Sequence, residues 1–347
     1  MAKFVKEYLA NNYICFDDIL MVPQYSEVTS RLSVDFKMNV GGYTWLDLPV
    51  IASPMDTVCE KDMAIAIAES GGIGIIHRFM SAKNQIKMVK DVFNYNDLKL
   101  PVGAALSSTF IEEHVEKLID AGVSMLLIDT ANGHSKMAID ATVRLKSVVG
   151  DRVHIMSGNV ATVEGYVALD AAGADSVRVG IGGGSMCTTR IVSGHGIPTL
   201  SSIINVREAK DKFNLNAAIV ADGGIRNTGD MVKAFAAGAD SVMLGSMLAG
   251  TDESPGSLHF EGDKKFKSFR GMASKEANKD KDIAVAEGIS TMIPYKGSVK
   301  DIIKDIKGGI GSGCSYSGVD FLHDLYKESM YIKVSPLTVK ESLPHGR

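Results

Sequence analysis

The 347-residue chain sets 37 Lys and Arg against 41 Asp and Glu, a net charge of −4, and is 45% hydrophobic and 22% charged. This is ordinary globular composition; the balance argues against binding nucleic acid by phosphate neutralisation, and no apolar stretch is long enough to span a membrane. Cys15, Cys59, Cys187 and Cys314 are widely spaced with no CxxC pair, which fits a reducing compartment and neither a disulfide framework nor a zinc site. Residues 1–12 are amphipathic and lack the apolar run of a signal peptide, so the expected location is cytoplasmic, with no nucleic-acid or membrane partner.

In chain order, short β-branched or apolar runs fall at 48–53, 72–78, 101–106, 125–131, 153–160, 176–182, 217–224 and 241–246. Several are nearly continuous in apolar residues, as strands buried on both faces are. Helix-like segments lie between them, among them 112–121, 163–172 and 228–237. These three close on Ala121-Gly122-Val123, Ala172-Gly173-Ala174-Asp175 and Ala237-Gly238-Ala239-Asp240. A glycine just past a helix and before a strand is the C-cap of a βα repeat. Eight repeats predict an α/β fold of the closed (β/α)8 TIM-barrel type, one domain over residues 1–347, in preference to a doubly wound open sheet. Residues 258–267 read as a polar hairpin turning at Gly262-Asp263. Residues 273–288 are charged and lack an apolar period, as a mobile flap beside a site would be. Together 258–288 form a C-terminal hairpin and flap insertion.

A barrel carries its site at the C-terminal ends of its strands. Ser53-Pro54-Met55-Asp56, His77-Arg78, Asp129, Asn159, Asp222-Gly223-Gly224 and Gly245-Ser246 all fall there. So does the loop Gly180-Ile181-Gly182-Gly183-Gly184-Ser185-Met186-Cys187-Thr188-Thr189-Arg190 after the sixth run. Its glycines free backbone groups to approach a phosphate or an ion. A thiol beside a cation and a loop of amides is the setting of a nucleophilic thiolate, so Cys187 is the candidate nucleophile, with Thr188 and Thr189 as hydroxyls able to relay a proton. The other three cysteines keep the reading of buried or structural thiols. The carbonyls of Gly182, Gly184 and Cys187 offer a seat for a monovalent cation.

Asp222 followed by glycines suits a ribose diol, and amides after the last two strands form the usual barrel phosphate site, to which Ser185 adds a hydroxyl. Asp222 reads alternatively as a helix N-cap. Asp129 reads as a cofactor-ribose ligand or as a capping residue, with Asn132, Ser107 and Ser108 at neighbouring strand ends. Glu287, closing the flap, is an acid that could relay a proton through a threonine. No GxGxxG opens a helix after a strand, so a nicotinamide would lie across the barrel mouth. His77, His134 and His195 lack metal-ligand spacing.

Phe16-Asp17-Asp18-Ile19-Leu20, Met55-Asp56-Thr57-Val58, Gly71-Gly72-Ile73-Gly74-Ile75-Ile76-His77-Arg78, Ser157-Gly158-Asn159-Val160 and the 180–190 loop together resemble the family of IMP dehydrogenases and GMP reductases. The resemblance continues in Ala221-Asp222-Gly223-Gly224-Ile225-Arg226, Met243-Leu244-Gly245-Ser246, Glu253-Ser254-Pro255-Gly256 and Pro294-Tyr295-Lys296-Gly297. It implies a (β/α)8 barrel, a homotetramer, a purine 5′-monophosphate substrate and a nicotinamide dinucleotide, with a covalent cysteine intermediate at the purine C2. By this resemblance Cys187 is the nucleophile, and Thr189 and Glu287 are its proton relay. Ser53, Ser185, Asp222, Gly223, Gly224, Gly245, Ser246, Met272 and Gly288 bind the nucleotide. Arg78, Asp129, Asn159 and Gly182 face the cofactor, and the carbonyls of Gly182, Gly184 and Cys187 hold a cation such as K+.

Two absences bear on the reaction. About 20 residues separate Arg78 from Pro101, enough for one helix and too few for the regulatory CBS modules of many dehydrogenases. The dehydrogenase flap carries an Arg-Tyr pair whose arginine activates the hydrolytic water; between Met272 and Glu287 this chain has neither residue, and lysine does not replace a planar guanidinium. The expectation is therefore a GMP reductase that uses NADPH. The alternative is a compact IMP dehydrogenase that uses NAD, favoured by Tyr25-Ser26-Glu27-Val28, the stretch Gly72 to His77, Phe269-Arg270-Gly271-Met272 and Pro344-His345. A non-catalytic purine-nucleotide-binding protein is the third reading. Gly183 stands where the family usually has proline, implying a more mobile loop before ligand binds. Phe269 stands where dehydrogenases have a tyrosine and Ala284 where many reductases have an arginine; His195 has no assigned role.

Overall fold

The computed structural model describes residues 13–278 and 285–344. The amphipathic segment 1–12, the middle of the charged flap at 279–284 with Ala284, and His345 lie outside the described residues.

All eight apolar runs are strands of one closed parallel barrel. These are β1 (Val50–Ala52), β2 (Ile73–Ile76), β3 (Val102–Leu106), β4 (Met125–Asp129), β5 (His154–Val160), β6 (Ser176–Val179), β7 (Ala218–Asp222) and β8 (Ser241–Leu244). Closure is made by β8 against β1, with Val242 opposite Val50 and Leu244 opposite Ala52. The helices that cross between strands are α1 (Lys61–Glu69), α2 (Ala82–Phe93), α3 (Glu112–Asp120), α4 (Lys136–Val149), α5 (Val163–Ala171), α6 (Thr199–Phe213), α7 (Thr228–Ala236) and, after β8, α8 (Val299–Ser317). The glycines at the ends of α3, α5 and α7 take left-handed φ values of 94°, 92° and 100° at Gly122, Gly173 and Gly238, as a terminating residue without Cβ can.

The continuous apolar runs have a plain cause: every residue of β3 is buried, and alternate side chains serve two cores. Ile51, Ile73, Ile75, Met125, Leu127 and Val220 fill the barrel interior. Residues on the other face pack beneath the helices. Each such side chain, moved fully out of water, contributes about 1.5–3 kcal/mol. Helix and strand approach closely where α1 crosses β2: a Cβ at Gly74 would meet Ala64 Cα at 2.5 Å. A short hairpin, Met38–Asn39 with Trp45–Leu46, lies at the N-terminal end of the barrel and adds Val40 and Leu46 to the interior cluster.

The insertion after β8 differs from its sequence reading. The expected hairpin forms from β9 (His259–Glu261) and β10 (Lys264–Arg270), turning at Gly262. A third strand, β11 (Ser290–Pro294), then pairs antiparallel along β10 from Phe266 opposite Pro294 to Arg270 opposite Ser290. The flap is thus the connection between two paired strands and does not trail from the hairpin. No periodicity announced β11, because four of its five residues are exposed and its partner supplies the pairing. Among the described residues, no helix is long and apolar enough to cross a membrane.

Candidate active site

A cleft of about 480 Å³ opens at the C-terminal ends of the strands, a size suited to a small-molecule ligand. Ser53 and Met55 reach it after β1, Arg78 after β2, Asp129 from β4 and Asn159 from β5. The loop after β6 contributes Gly182, Gly184, Ser185, Cys187 and Thr189; β7 and its turn contribute Asp222, Gly223 and Gly224; Gly245 and Ser246 follow β8. Met272 and Glu287 enter from the two described ends of the flap. Gly288 does not line the cleft but bridges antiparallel to Cys187. Ser107, Ser108 and Asn132 are not brought there: the Ser107 hydroxyl pairs with Thr109 at 2.8 Å, and Asn132 Oδ1 accepts the His134 amide at 3.1 Å.

Three residues form a line. Cys187 Sγ donates to Thr189 Oγ1 at 3.1 Å, and Thr189 Oγ1 donates to Glu287 Oε2 at 2.7 Å. A thiol, a hydroxyl and a carboxylate in this order make a path along which a proton can leave sulfur or be returned to a group bound there. The path exists because the flap sits on the cysteine loop through its backbone. The Thr188 amide donates to Glu287 O at 3.0 Å, and the Ile289 amide to Met186 O at 3.0 Å. Gly271 and Gly288 permit the approach, since a Cβ on Gly271 would meet Met186 O at 3.0 Å and one on Gly288 would meet Ser274 N at 3.1 Å.

The cation expected beside the thiol is used elsewhere. Arg190 donates from Nη2 to Ile197 O at 2.9 Å and packs its stem against Gly182 and Gly196. The hydrogen-bond partner of Cys187 is Thr189 alone among the described side chains. Cys59 and Cys314 are buried as expected: burial raises the thiol pKa of Cys59, and pushes that of Cys314 up to about 12; Cys15, expected to be buried as well, is instead exposed, its thiol 3.0 Å from Asp18 Oδ2. At position 183 a Cβ would meet Thr199 Oγ1 at 2.7 Å, so glycine there has a packing reason.

The mouth also contains a charged network that the sequence reading missed in part. Arg178 on β6, its side chain 8% exposed, donates from Nη1 to Asp129 Oδ1 at 2.8 Å and from Nη2 to Asp222 Oδ2 at 2.9 Å. Arg78 Nε donates to Asp129 Oδ2 at 3.1 Å, and Asn159 Nδ2 to Asp222 Oδ2 at 2.7 Å and to Gly180 O at 2.8 Å. Burial alone would lower the Arg178 pKa; the flanking Asp222 and Asp129 outweigh it and hold the guanidinium above its ordinary value. The signal was present: Ser-Val-Arg-Val places one charge in a buried strand, and a buried arginine demands acceptors. The capping readings of both aspartates fail, because Asn227 caps α7 and Ser135 caps α4.

A second missed pair ties the flap root to the loop after β1. Arg270 Nε lies 3.0 Å from both Asp56 carboxylate oxygens and Arg270 Nη2 lies 2.5 Å from Oδ2. Phe269, next to it, is buried and lines the cleft. His77 is buried outside the cleft, with Nε2 3.0 Å from Glu60 Oε1 and Nδ1 accepting the Phe79 amide. His195 is exposed, its Nδ1 2.7 Å from Ser193 O. Among the described residues no group of three or more His, Cys, Asp or Glu is placed to hold a metal ion. The carbonyls of the glycine loop are a different donor set, suited to a weakly charged hard cation; the Gly184 carbonyl also accepts the Cys187 amide at 3.0 Å.

Comparison with known proteins agrees with this geometry. The IMP dehydrogenase / GMP reductase domain matches residues 13–345. The chain is 39% identical to an inosine-5′-monophosphate dehydrogenase of Borreliella burgdorferi, over 99% of this chain and 98% of that protein. It is 36% identical to an inosine-5′-monophosphate dehydrogenase of Cryptosporidium parvum, over 96% of this chain and 94% of that one. Against a GMP reductase of Leishmania major the identity is 29%, over 96% of each. With a closed barrel, a cysteine loop at the mouth and a match over nearly its whole length, the chain belongs to the IMP dehydrogenase/GMP reductase family and is an oxidoreductase of purine metabolism.

Proposed function

We propose that the protein is a GMP reductase, converting GMP and NADPH to IMP, NADP+ and ammonia. The observation that carries this reading is a contrast at the flap. The line Cys187–Thr189–Glu287 is complete, while the chain between Met272 and Glu287 contains no arginine or tyrosine to activate a hydrolytic water. The Cys187 thiolate attacks C2 of GMP and forms a C–S bond. Protons delivered along Glu287 and Thr189 let the 2-amino group depart as ammonia, leaving C2 bound to sulfur. Hydride from NADPH then adds to C2, the C–S bond breaks, and IMP leaves with the thiolate restored.

In this reading Asp222 holds the nucleotide ribose, and Ser185, Gly223, Gly224, Gly245 and Ser246 hold the phosphate. Ser53, Met272 and Gly288 complete the nucleotide side. Arg78, Asp129, Asn159 and Gly182 face NADPH, with Arg178 joining the two sides of the cleft. The carbonyls of Gly182, Gly184 and Cys187 would hold a monovalent cation such as K+, which steadies the loop when bound. The same reading takes residues 1–347 as one barrel domain without CBS modules, working as a cytoplasmic homotetramer.

A second reading, NAD-dependent oxidation of IMP to XMP, is supported by the 39% identical relative named a dehydrogenase and by Phe269-Arg270-Gly271-Met272. One experiment separates them: purified protein with GMP and NADPH, and separately with IMP and NAD+, followed by nicotinamide absorbance. Oxidation of NADPH with release of ammonia is expected. Turnover only with IMP and NAD+ overturns the proposal in favour of the dehydrogenase, and turnover with neither pair favours a non-catalytic nucleotide-binding protein. Cys187→Ala is expected to lower turnover at least about 10⁴-fold with an unchanged melting temperature; retained activity rejects the covalent route.

A further inference from the structure

Two sequence motifs that this chemistry leaves unused, Glu253-Ser254-Pro255-Gly256 and Pro294-Tyr295-Lys296-Gly297, meet in the structure. After β8 the chain turns through Gly245 and Ser246, both lining the cleft, and the Leu248 and Ala249 amides return to Gly245 O at 3.1 and 3.0 Å. Lys296, just past β11, does not line the cleft. Its Nζ donates to Ser246 O at 2.5 Å and to Met247 O at 3.3 Å, and its amide donates to Gly250 O at 2.9 Å. Tyr295 Oη donates to Asp252 Oδ1 at 2.7 Å, and Glu253 accepts from Ser298 Oγ at 2.8 Å and the Val299 amide at 2.7 Å. From β10, Lys267 is only 4% exposed and donates to the carbonyls of Thr251, Ser254 and Asp252 at 2.7, 2.6 and 3.3 Å.

Neither lysine has a carboxylate within ion-pair distance among the described residues. An ammonium carries three donors and no acceptor. Here two ammonium groups are directed at five backbone carbonyls of one turn, and a charge-assisted bond of this kind is stronger than a neutral one. Fixing a carbonyl fixes the whole peptide plane: the Met247 carbonyl fixes the Leu248 amide, which donates to Gly245 O at 3.1 Å, and the Gly245 carbonyl shares its plane with the Ser246 amide. We propose that Lys296 is a positioning residue for the substrate's 5′-phosphate: by holding the Ser246 and Met247 carbonyls it sets the one arrangement of the turn in which Gly245 and Ser246 meet the phosphate, and Lys267 secures the far end of the same turn. This rests on the reading of Gly245 and Ser246 as phosphate-binding. It also joins the phosphate turn to the sheet that carries the flap, since Lys267 lies on β10 and Lys296 follows directly on β11.

The test uses the full chain with Lys296→Met, which keeps the stem and removes the donors, and Lys296→Gln, which restores a neutral donor. For Lys296→Met the KM for the purine monophosphate rises about tenfold, kcat stays within about twofold and the dinucleotide KM is unchanged. The affinity for the corresponding nucleoside, which lacks the phosphate, changes less than about twofold, and Lys296→Gln recovers most of the loss. Hydrogen exchange of the ligand-free variant shows the amides of 246–251 opening about tenfold faster, with the barrel strands unaffected. An unchanged nucleotide KM, equal losses for nucleoside and nucleotide, a Gln variant no better than Met, or unchanged exchange overturns the proposal. A wild-type protein that binds no purine monophosphate overturns the functional reading beneath it. The exchange measurement then still decides whether Lys296 holds the turn.

Discussion

The two ends of the barrel solve the same problem in opposite ways. Strands β5 and β6 carry polar residues at both ends, and the interior around them is apolar. At the N-terminal end His154 places Nε2 2.7 Å from Ser176 Oγ and Nδ1 3.1 Å from Thr44 Oγ1. Burial depresses its pKa to about 4, against the opposing pull of the Asp175 carboxylate, so the ring is neutral and its bonds to Ser176 and Thr44 join neutral groups. Two residues further along β6, on the same face, Arg178 joins Asp129 and Asp222 in a network of full charges. A neutral network lowers the desolvation cost and serves the fold. A charged network raises that cost, because each ion must leave water, and this one lines the cleft. On this face of β5 and β6 the neutral contacts sit at one end and the charged ones at the cleft, whereas beneath the helices Asp240, just before β8, also takes charged partners in Arg207 and Lys210 at 3.6 and 3.8 Å.

Replacing Arg178 breaks the comparison most severely. Arg178→Met leaves Asp129 and Asp222 without their shared partner. Stability is expected to fall by about 3–5 kcal/mol, as when one member of a buried pair is removed. kcat/KM is expected to fall at least about 100-fold as both cleft-lining carboxylates shift. Denaturant unfolding and steady-state kinetics measure the two effects. Ser176→Ala is the counterpart at the other end. It leaves a His154 nitrogen unsatisfied at a cost of about 1–3 kcal/mol, and kcat and KM should stay within about twofold. If Ser176→Ala damages turnover as much as stability, the two ends are not separable.

The smallest effect is the pH response. The folded-state pKa of His154, about 4, lies below its ordinary value of 6.5. Between these values the unfolded chain binds the proton and the folded one does not. Stability therefore falls as pH drops from about 6.5 toward 4, with a slope approaching about 1.4 kcal/mol per pH unit, and this contribution levels off below 4. His154→Gln, which cannot titrate, should flatten that slope in melting temperatures taken across the window.

These contrasts also explain what was legible in the sequence. Strands buried on both faces are apolar over most of their length, so all eight announced themselves, and Gly122, Gly173 and Gly238 marked helix ends because few other residues take their backbone angles. Cys187, Thr189 and most other cleft residues were found because strand ends converge in a barrel. Arg178 was passed over because one charge within Ser-Val-Arg-Val did not interrupt the strand pattern. The Arg270–Asp56 pair joins residues 214 positions apart, a separation at which chain order carries no sign of contact. Arg190 shows the reverse error: adjacent in sequence to the nucleophile's loop, it is drawn to Ile197 O by the turn it helps to close. The strand β11 received no assignment because its own residues are exposed and only β10 defines it.

That pairing has a consequence for how such an enzyme changes its chemistry over time. The segment from Gly271 to Ile289 leaves and re-enters a sheet whose strands are already in register, from Phe266 opposite Pro294 to Arg270 opposite Ser290. Its two feet stay together whatever lies between them. Doubling the length of such a connection costs only about 0.6 kcal/mol in closure entropy. Insertions, deletions and wholesale exchange of the segment are therefore cheap to the fold while they alter what reaches the cysteine, which makes the connection an interchangeable part on a fixed mount.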